Sequence, residues 1–372
     1  MQTVVSFPSF ADLPQRARAL FEAAGASCFF DGIPWFETFS KYACDPGDRI
    51  RIYCAGGEAT PQAALATVSK TANTGLLKPR KLSSLSSYYT SLFSVVGADD
   101  DIVAGARQLA EAIARELPQW DEVELRPLDV SGPAFAALVK AFKGAGFVVQ
   151  TYFCFGNWYL DVAGRSFSQY ADALPSALKN TLHRKRKKLE KSGRSKFELV
   201  TGPDHLESAI DAYNQVYLAS WKQPEPYRQF VPELIRTCAA LGVLRLGLMY
   251  VDEQPAAAQL WIVQNGFALI YKLAYDERFA DLSVGTVLTA KMFEHAIDVD
   301  CVHTIDYLTG DDPYKKDWMS HRRERWGMLA MNPKTIRGAS AILRHVGGRA
   351  VKRFAGSLAR RAGKPASSSQ AA

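Results

Sequence analysis

Between Val243 and Asp276 three apolar runs, "VLRLGLMYV", "AAAQLWIVQ" and "FALIYKLAYD", follow one another with only "DEQP" and "NG" between them. Spacers of that length and composition are hairpin turns, so the runs read as a meander of three neighbouring strands in one sheet. From Ser283 to Val299 the residues Val284, Leu288, Met292 and Ala296 recur every four positions, the period of a helix with one buried face. "VHTIDYL" reads as a further strand and "RERWGMLAM" as the last, with the crowded turn "TGDDPYKKDW" between them.

Upstream of the meander, "KFELVTG" alternates as a strand does. Leu206, Ala209, Ile210, Tyr213 and Tyr217 lie at helical spacing behind Pro203 and Asp204, and "PELIRTCAAL" makes a second helix that stops at Gly242. The order is strand, two helices, three strands, helix, strand, short helix, strand. The first half is a fainter copy. "RIRIYCAG", "QAALATVS" and "SSYYTSLFSVVG" read as strands, and a helix runs from Asp101 to Leu117 behind an acidic start, "ADDD", that suits its dipole. "EVELRPL" is a strand, "PAFAALVKAFKGAG" a helix, and "FVVQTYFCFGNWYLDV" a hairpin or one long strand. The expectation is an α+β chain of two tandem units, residues 1–165 and 166–333, followed by a tail over 334–372.

The net charge of +7 belongs to that tail: Lys334 to Lys364 holds nine Lys or Arg and no acid, leaving 36 bases against 38 acids elsewhere. A second concentration, Lys179 to Lys196, has nine bases against Glu190 alone. The tail also carries Ile336, Ile342, Leu343, Val346, Val351, Phe354 and Leu358, which suits an amphipathic helix on an anionic leaflet; Gly347 and Gly348 interrupt it. A disordered solubilising tail and a nucleic-acid contact are the other readings, nucleic acid being the less expected partner. With 48% hydrophobic and 22% charged residues, no basic-then-apolar leader and no apolar span, the chain reads as a soluble, cytoplasmic protein, peripheral at the inner face of the membrane if the tail binds there. Six scattered cysteines and six histidines at no ligand spacing argue against disulfides and a metal.

A turn needs only Gly, Pro, Asp or Asn, so Tyr314, Lys315 and Trp318 exceed what the segment after Thr304 needs in order to bend. The plain reading makes Asp311 the cap of a short helix with Pro313 in its first turn, Lys315 and Lys316 solvated, and Trp318 core. Likewise Ser283 reads as a helix cap with Gly285 incidental, and Arg184 to Lys188 as a solvated face.

The meander followed by a helix, a strand and a short helix resembles the Gcn5-related acetyltransferase (GNAT) fold. Two such units resemble the FemAB-like transferases. "RFADLSVGTVLTAKMFEHAI", "TIDYLTGDDPYKKDW", "SYYTSLFSVV" and "FFDGIPWFETF" are similar to the bacterial CelD group, which is linked to exopolysaccharide synthesis. The resemblance implies an acyltransferase that uses acetyl-CoA or another acyl-CoA. Ser283, Val284, Gly285 and Thr286 would bind its phosphates at a helix start, although Ala280, Ser283 and Gly285 stand where the usual loop has Arg or Gln and two glycines. It also implies that Tyr314 protonates the leaving thiolate and that Lys315 stabilises the oxyanion or binds substrate. Asp306, Asp311 and Asp312 would orient that lysine or take the acceptor's proton. The implied acceptor is an amine or hydroxyl of a sugar, nucleotide-sugar or lipid-linked sugar, with Arg184 and Lys187 on its phosphate. The alternatives are a Fem-type aminoacyl transferase that uses charged tRNA and a catalytically inactive module that binds a glycan or lipid carrier.

Overall fold

The computed structural model describes residues 4–57, 60–70 and 78–345. The first half starts with strand β1 (Val4–Phe7) and helices α1 (Gln15–Ser27) and α2 (Ile33–Tyr42). None of the three was expected, although Ile33, Phe36 and Phe39 stand at helical spacing and are buried. Strands β2 (Arg49–Ala55), β3 (Ala63–Ser69) and β4 (Lys81–Ser84) follow, then the two-residue β5 (Val96–Gly97) and helix α3 (Asp99–Arg115). β6 (Glu122–Asp129), α4 (Pro133–Gly144) and one long strand, β7 (Val148–Asp161), close this half.

The second half repeats the plan. After a short α5 (Phe167–Asp172) and the basic α6 (Ser176–Ser192) come β8 (Ser195–Val200), α7 (Leu206–Leu218) and α8 (Phe230–Ala240). The meander is β9 (Leu244–Val251), β10 (Gln254–Gln264) and β11 (Phe267–Tyr275), followed by α9 (Val284–Asp298), β12 (Thr304–Asp306), the single turn α10 (Lys315–Trp318) and β13 (His321–Met331). Asp252 with Glu253, and Asn265 with Gly266, have positive φ, as two-residue hairpin loops matched to strand twist require. β10 is buried along both faces because α7 packs on one and α9 on the other.

All strands join one mixed sheet in the order β1-β2-β3-β4-β6-β13-β7-β12-β11-β10-β9-β8, with β5 beside β3. The terminal strands of the halves are exchanged. β7, which ends the first half, pairs with β12, while β13, which ends the second, pairs with β6. β7 and β13 also pair with each other over eleven registered positions, His321 to Met331 against Tyr159 to Val148. One hydrophobic core spans both halves, from Phe21 and Trp35 to Phe230 and Leu260, and a second surrounds α9.

Two expectations need correction. "SSYYTSLFSVVG" is a strand only at Val96–Gly97; upstream its hydroxyls occupy the backbone that a ladder would use. Ser87 Oγ and Thr90 Oγ1 accept from the N–H of Tyr89 and Ser87, and Ser84 and Ser86 donate to Arg126 O. The strand that follows β3 in that half is β4, paired parallel with β6. The tail's first turns, 336–345, are helical, but Ala341 and Ile342 pack on Leu329 and Met331 while Ile336 and Leu343 are exposed. The rest of the proposed amphipathic segment, from Val346 onward, lies outside the described residues.

Candidate functional site

β11 and β12 run parallel for only three pairs, Phe267 to Leu269 against Thr304 to Asp306. Beyond them β11 continues to Tyr275 with β10 on its other side, so the sheet opens into a wedge. A bulge at Tyr271, left without a partner between the pairs Leu260–Lys272 and Trp261–Ile270, bends β11 as it enters the opening. A cavity of about 510 Å³ fills the wedge, walled by Leu273 and Tyr275 of β11, Trp221, Tyr307, Tyr314 and the start of α9.

Helix α9 presents bare amides to this cavity. Ser283 sits at φ 54°, ψ 38°, makes no side-chain cap, and gives its own carbonyl to Val287 N at 3.0 Å. The N–H groups of Val284, Gly285 and Thr286 have no acceptor among the described residues, and all three residues line the cavity. Gly285 also has a packing reason, because a Cβ there would lie 3.1 Å from the Tyr275 ring. The expectation that Ser283 caps the helix is therefore not met, and the positive end of the dipole faces open space.

The floor is polar and buried. Gln259 of β10, 1% exposed, donates to Thr289 Oγ1 at 2.7 Å and accepts from Trp261 Nε1 at 2.9 Å. Tyr307, 3% exposed, has a buried hydroxyl with no hydrogen-bond partner, and burial raises its pKa well above the usual phenol value. Tyr314 stands edge-on to it, with ring centroids 5.8 Å apart, and its pKa is also raised, first by burial and then by Asp312. Both phenols are therefore held in the protonated, donating form. Sequence reasoning missed Gln259, Tyr307 and Asp317, the last being the one carboxylate among the residues lining the cavity. A glutamine in the middle of "AAAQLWIVQ" was the available signal.

Lys315, Asp306 and Asp312 do not line the cavity. Lys315 is not solvated: it is 4% exposed, and Nζ donates to Thr309 O at 2.6 Å and Gly310 O at 3.2 Å and pairs with Asp312 at 3.2 Å. Burial lowers its pKa against the pull of Asp312. Its three N–H groups hold the loop that carries Tyr314. Asp306, 2% exposed, accepts from Asn157 Nδ2 of β7 at 2.5 Å and Leu308 N at 2.6 Å and pairs with Arg323 of β13. It ties three strands at the seam between the halves. Asp311 does not cap α10; it accepts from Trp158 Nε1 and Arg322 Nη2, both at 2.6 Å, and Arg322 holds its pKa down. Trp318 is buried and also reaches the cavity.

On the side facing the first half, Glu225 accepts from Tyr88 at 2.6 Å and Tyr89 at 2.7 Å and pairs with Lys272 at 2.7 Å. Burial alone would raise its pKa, but Lys272 and the two phenols bring it down to about 2. Ser91 Oγ lies 2.9 Å from Thr309 Oγ1, joining the same first-half segment to the Tyr314 loop. Lys222, next to the cavity residue Trp221, has no anionic partner in hydrogen-bond or ion-pair contact among the described residues. Burial and then Lys272 pull its pKa down to about 8, with Asp312 and Lys315 also within electrostatic reach. Among the described residues no group of three or more His, Cys, Asp or Glu is placed to hold a metal ion. All six cysteines are free, and no described helix is long and apolar enough to cross a membrane.

α6 lies beside α9. Leu178 lines the cavity, whereas Arg184 and Lys187, assigned from the sequence to an acceptor phosphate, are exposed on the outer surface of the helix.

A parallel strand pair that splays, a bulge entering the opening and a helix with uncapped amides aimed into it can be compared with known proteins. Residues 176–316 match the family described as acetyltransferase (GNAT) domain. FemX superposes with a TM-score of 0.57 over 86% of this chain and 97% of its own, at 10% identity. A tandem GNAT protein from the clavulanic acid biosynthesis pathway superposes at 0.51 over 89% of this chain and 100% of its own, at 12% identity. No curated protein matches the sequence. The chain thus has a double-GNAT, FemAB-like architecture, with the sequence signature of the acetyltransferase family confined to residues 176–316.

Proposed function

We propose that the protein is an acyltransferase that moves an acyl group, acetyl in the simplest case, from coenzyme A to an amine or hydroxyl of a sugar or a nucleotide- or lipid-linked sugar. One observation carries the donor half of this reading: three unpartnered amides at the start of α9 and the phenols of Tyr307 and Tyr314 converge on one cavity in the splayed sheet. The residues fit a diphosphate-bearing thioester. Val284, Gly285 and Thr286 N–H would hold the diphosphate, Tyr307 Oη has a hydrogen bond to give, and Tyr314 is the acid for the departing thiolate.

With Asp306 and Asp312 engaged elsewhere, the amine of Lys222, 5.8 Å from the centre of the Trp221 ring on the cavity wall, would take the nucleophile's proton. Lys315 and Asp312 act by holding the Tyr314 loop, and Asp306 by fixing β12. The acceptor would approach between the halves, past Tyr88, Glu225 and Lys272. A sugar acceptor is supported by the resemblance of the segments Arg278–Ile297 and Thr304–Trp318 to the CelD group, and the basic tail would keep the enzyme near an anionic membrane.

The test is calorimetry with coenzyme A followed by thiol release from acetyl-CoA over a panel of amino sugars. Binding with release on a sugar amine supports the reading. Absence of coenzyme A binding sinks it, and transfer that depends on charged tRNA replaces it with the Fem-type reaction. Cosedimentation with anionic liposomes in rising salt tests the tail, and no binding at low salt removes the membrane contact.

A further inference from the structure

The basic helix α6 is the sequence feature to which the proposed reaction gives no task. Its inner side is committed. Leu178 lines the cavity, Lys185 Nζ donates to the carbonyl oxygen of Asp281, and Arg186 pairs with Glu294 of α9 at 3.3 Å as well as Glu190 at 2.9 Å. These contacts clamp α6 alongside α9 and place Lys185 against the chain two residues before Ser283.

At 3.6 residues per turn, Arg184 and Lys188 share the flank next to Lys185, whereas Lys187 projects away from Leu178. Arg184 uses only Nε, on Asn180 O at 3.3 Å, and Lys188 has no ion-pair partner among the described residues. From Lys179 to Lys196 there are nine bases and only Glu190 to offset them. Like charges four apart on a helix repel, and a bound anion relieves that repulsion. Leu178 lines the cavity and Lys185 is held two residues before Ser283, so this flank lies beside the start of α9, within reach of a ligand whose diphosphate sits there.

We propose that the α6 flank carrying Arg184, Lys185 and Lys188 holds the phosphate on the far, nucleoside end of the donor, a 3′-phosphorylated adenosine diphosphate. The inference rests on the donor reading above and transfers the basic helix from the acceptor to the donor. It also excludes Lys187 from the contact.

The experiment is calorimetry on the full chain with coenzyme A and 3′-dephospho-coenzyme A, for the wild type and for Arg184→Glu/Lys188→Glu. Both side chains are exposed, so the variant keeps its fold, which thermal melting checks. The wild type should prefer coenzyme A by roughly tenfold or more, the size of a charge-assisted phosphate contact, and the variant should lose that preference. Lys187→Glu should keep it. Equal wild-type affinity for the two ligands, or a preference that survives in the double variant, overturns the inference while leaving the donor reading intact. Binding of neither ligand overturns both. Binding of a CCA-ended RNA hairpin that the double variant loses, without any preference for coenzyme A, assigns the flank to RNA instead.

Discussion

Helices α3 and α9 occupy the same place in the two halves, each between the members of a parallel strand pair, β4 with β6 and β11 with β12. Their first turns differ in the property that matters for an anion. α3 starts with Asp99, Asp100 and Asp101 and has no side-chain cap, so three carboxylates meet its dipole. α9 starts with Val284, Gly285 and Thr286, has no acid in its first turn, and opens on a cavity. Each helix end has the same partial positive charge. In the first half three carboxylates of the chain itself meet that charge, and in the second the first turn carries no acid and lines a cavity. A repeated fold therefore does not imply a repeated site: an acidic first turn repels a diphosphate, and the proposed donor site falls in the second half.

The sharpest break in this contrast is Gly285→Glu, which puts a carboxylate where α3 has its aspartates and a Cβ 3.1 Å from the Tyr275 ring. Coenzyme A affinity measured by calorimetry should fall by about a thousandfold, from loss of several charge-assisted bonds. An unchanged affinity would place the donor elsewhere. Lys222→Met comes next, with kcat/KM expected to fall by about a hundredfold or more, as for loss of a general base. In the wild type kcat/KM should climb with pH and level off above about 8, because the base must be unprotonated and its pKa is about 8. The same shift affects stability. The folded pKa lies below the ordinary lysine value of 10.5, so the native state releases its proton first and stability rises as pH climbs from about 8 towards 10.5; Lys222→Met should flatten that rise in urea titrations.

Asp306→Asn tests whether that carboxylate is chemical or structural. It removes the charge paired with Arg323, which keeps its hydrogen bond to Asn157 Oδ1 at 2.6 Å, and should cost about 3 kcal/mol of unfolding free energy. A variant of native stability that has lost turnover would restore Asp306 as a base. The smallest effect belongs to the first half. Replacing Asp99, Asp100 and Asp101 by Asn should cost about 1–2 kcal/mol through the helix dipole and leave coenzyme A affinity unaltered. A change in that affinity would erase the distinction between the two helices.

Much of the architecture was legible because it is local. The meander, its positive-φ turns and the helices α3, α4, α7, α8 and α9 follow from periodicity and from turn residues a few positions apart. Strand exchange was not legible: whether β13 pairs with β12 or with β6 depends on contacts nearly two hundred residues distant, and nothing in its own residues selects the neighbour. In the site, Ser283 to Thr286 and Tyr314, far apart in the motifs, line one cavity. Lys315 and Asp306 read as catalytic because charged residues beside a turn are usually solvent-facing, and only burial shows that their partners are carbonyls, Asp312, Asn157 and Arg323. Lys222 gave no signal, since its depressed pKa comes from burial and from Lys272, fifty residues away in sequence.

Because β7 completes the sheet around β12 while β13 completes the one around β6, neither half owns the ladder at its inner border. Cutting the chain between them would leave each fragment with a raw, hydrogen-bond-hungry margin, prone to aggregate or to recapture its counterpart. Inheritance of such a chain is all or nothing. A chain that lost either half would also lose a strand that completes the sheet of the other.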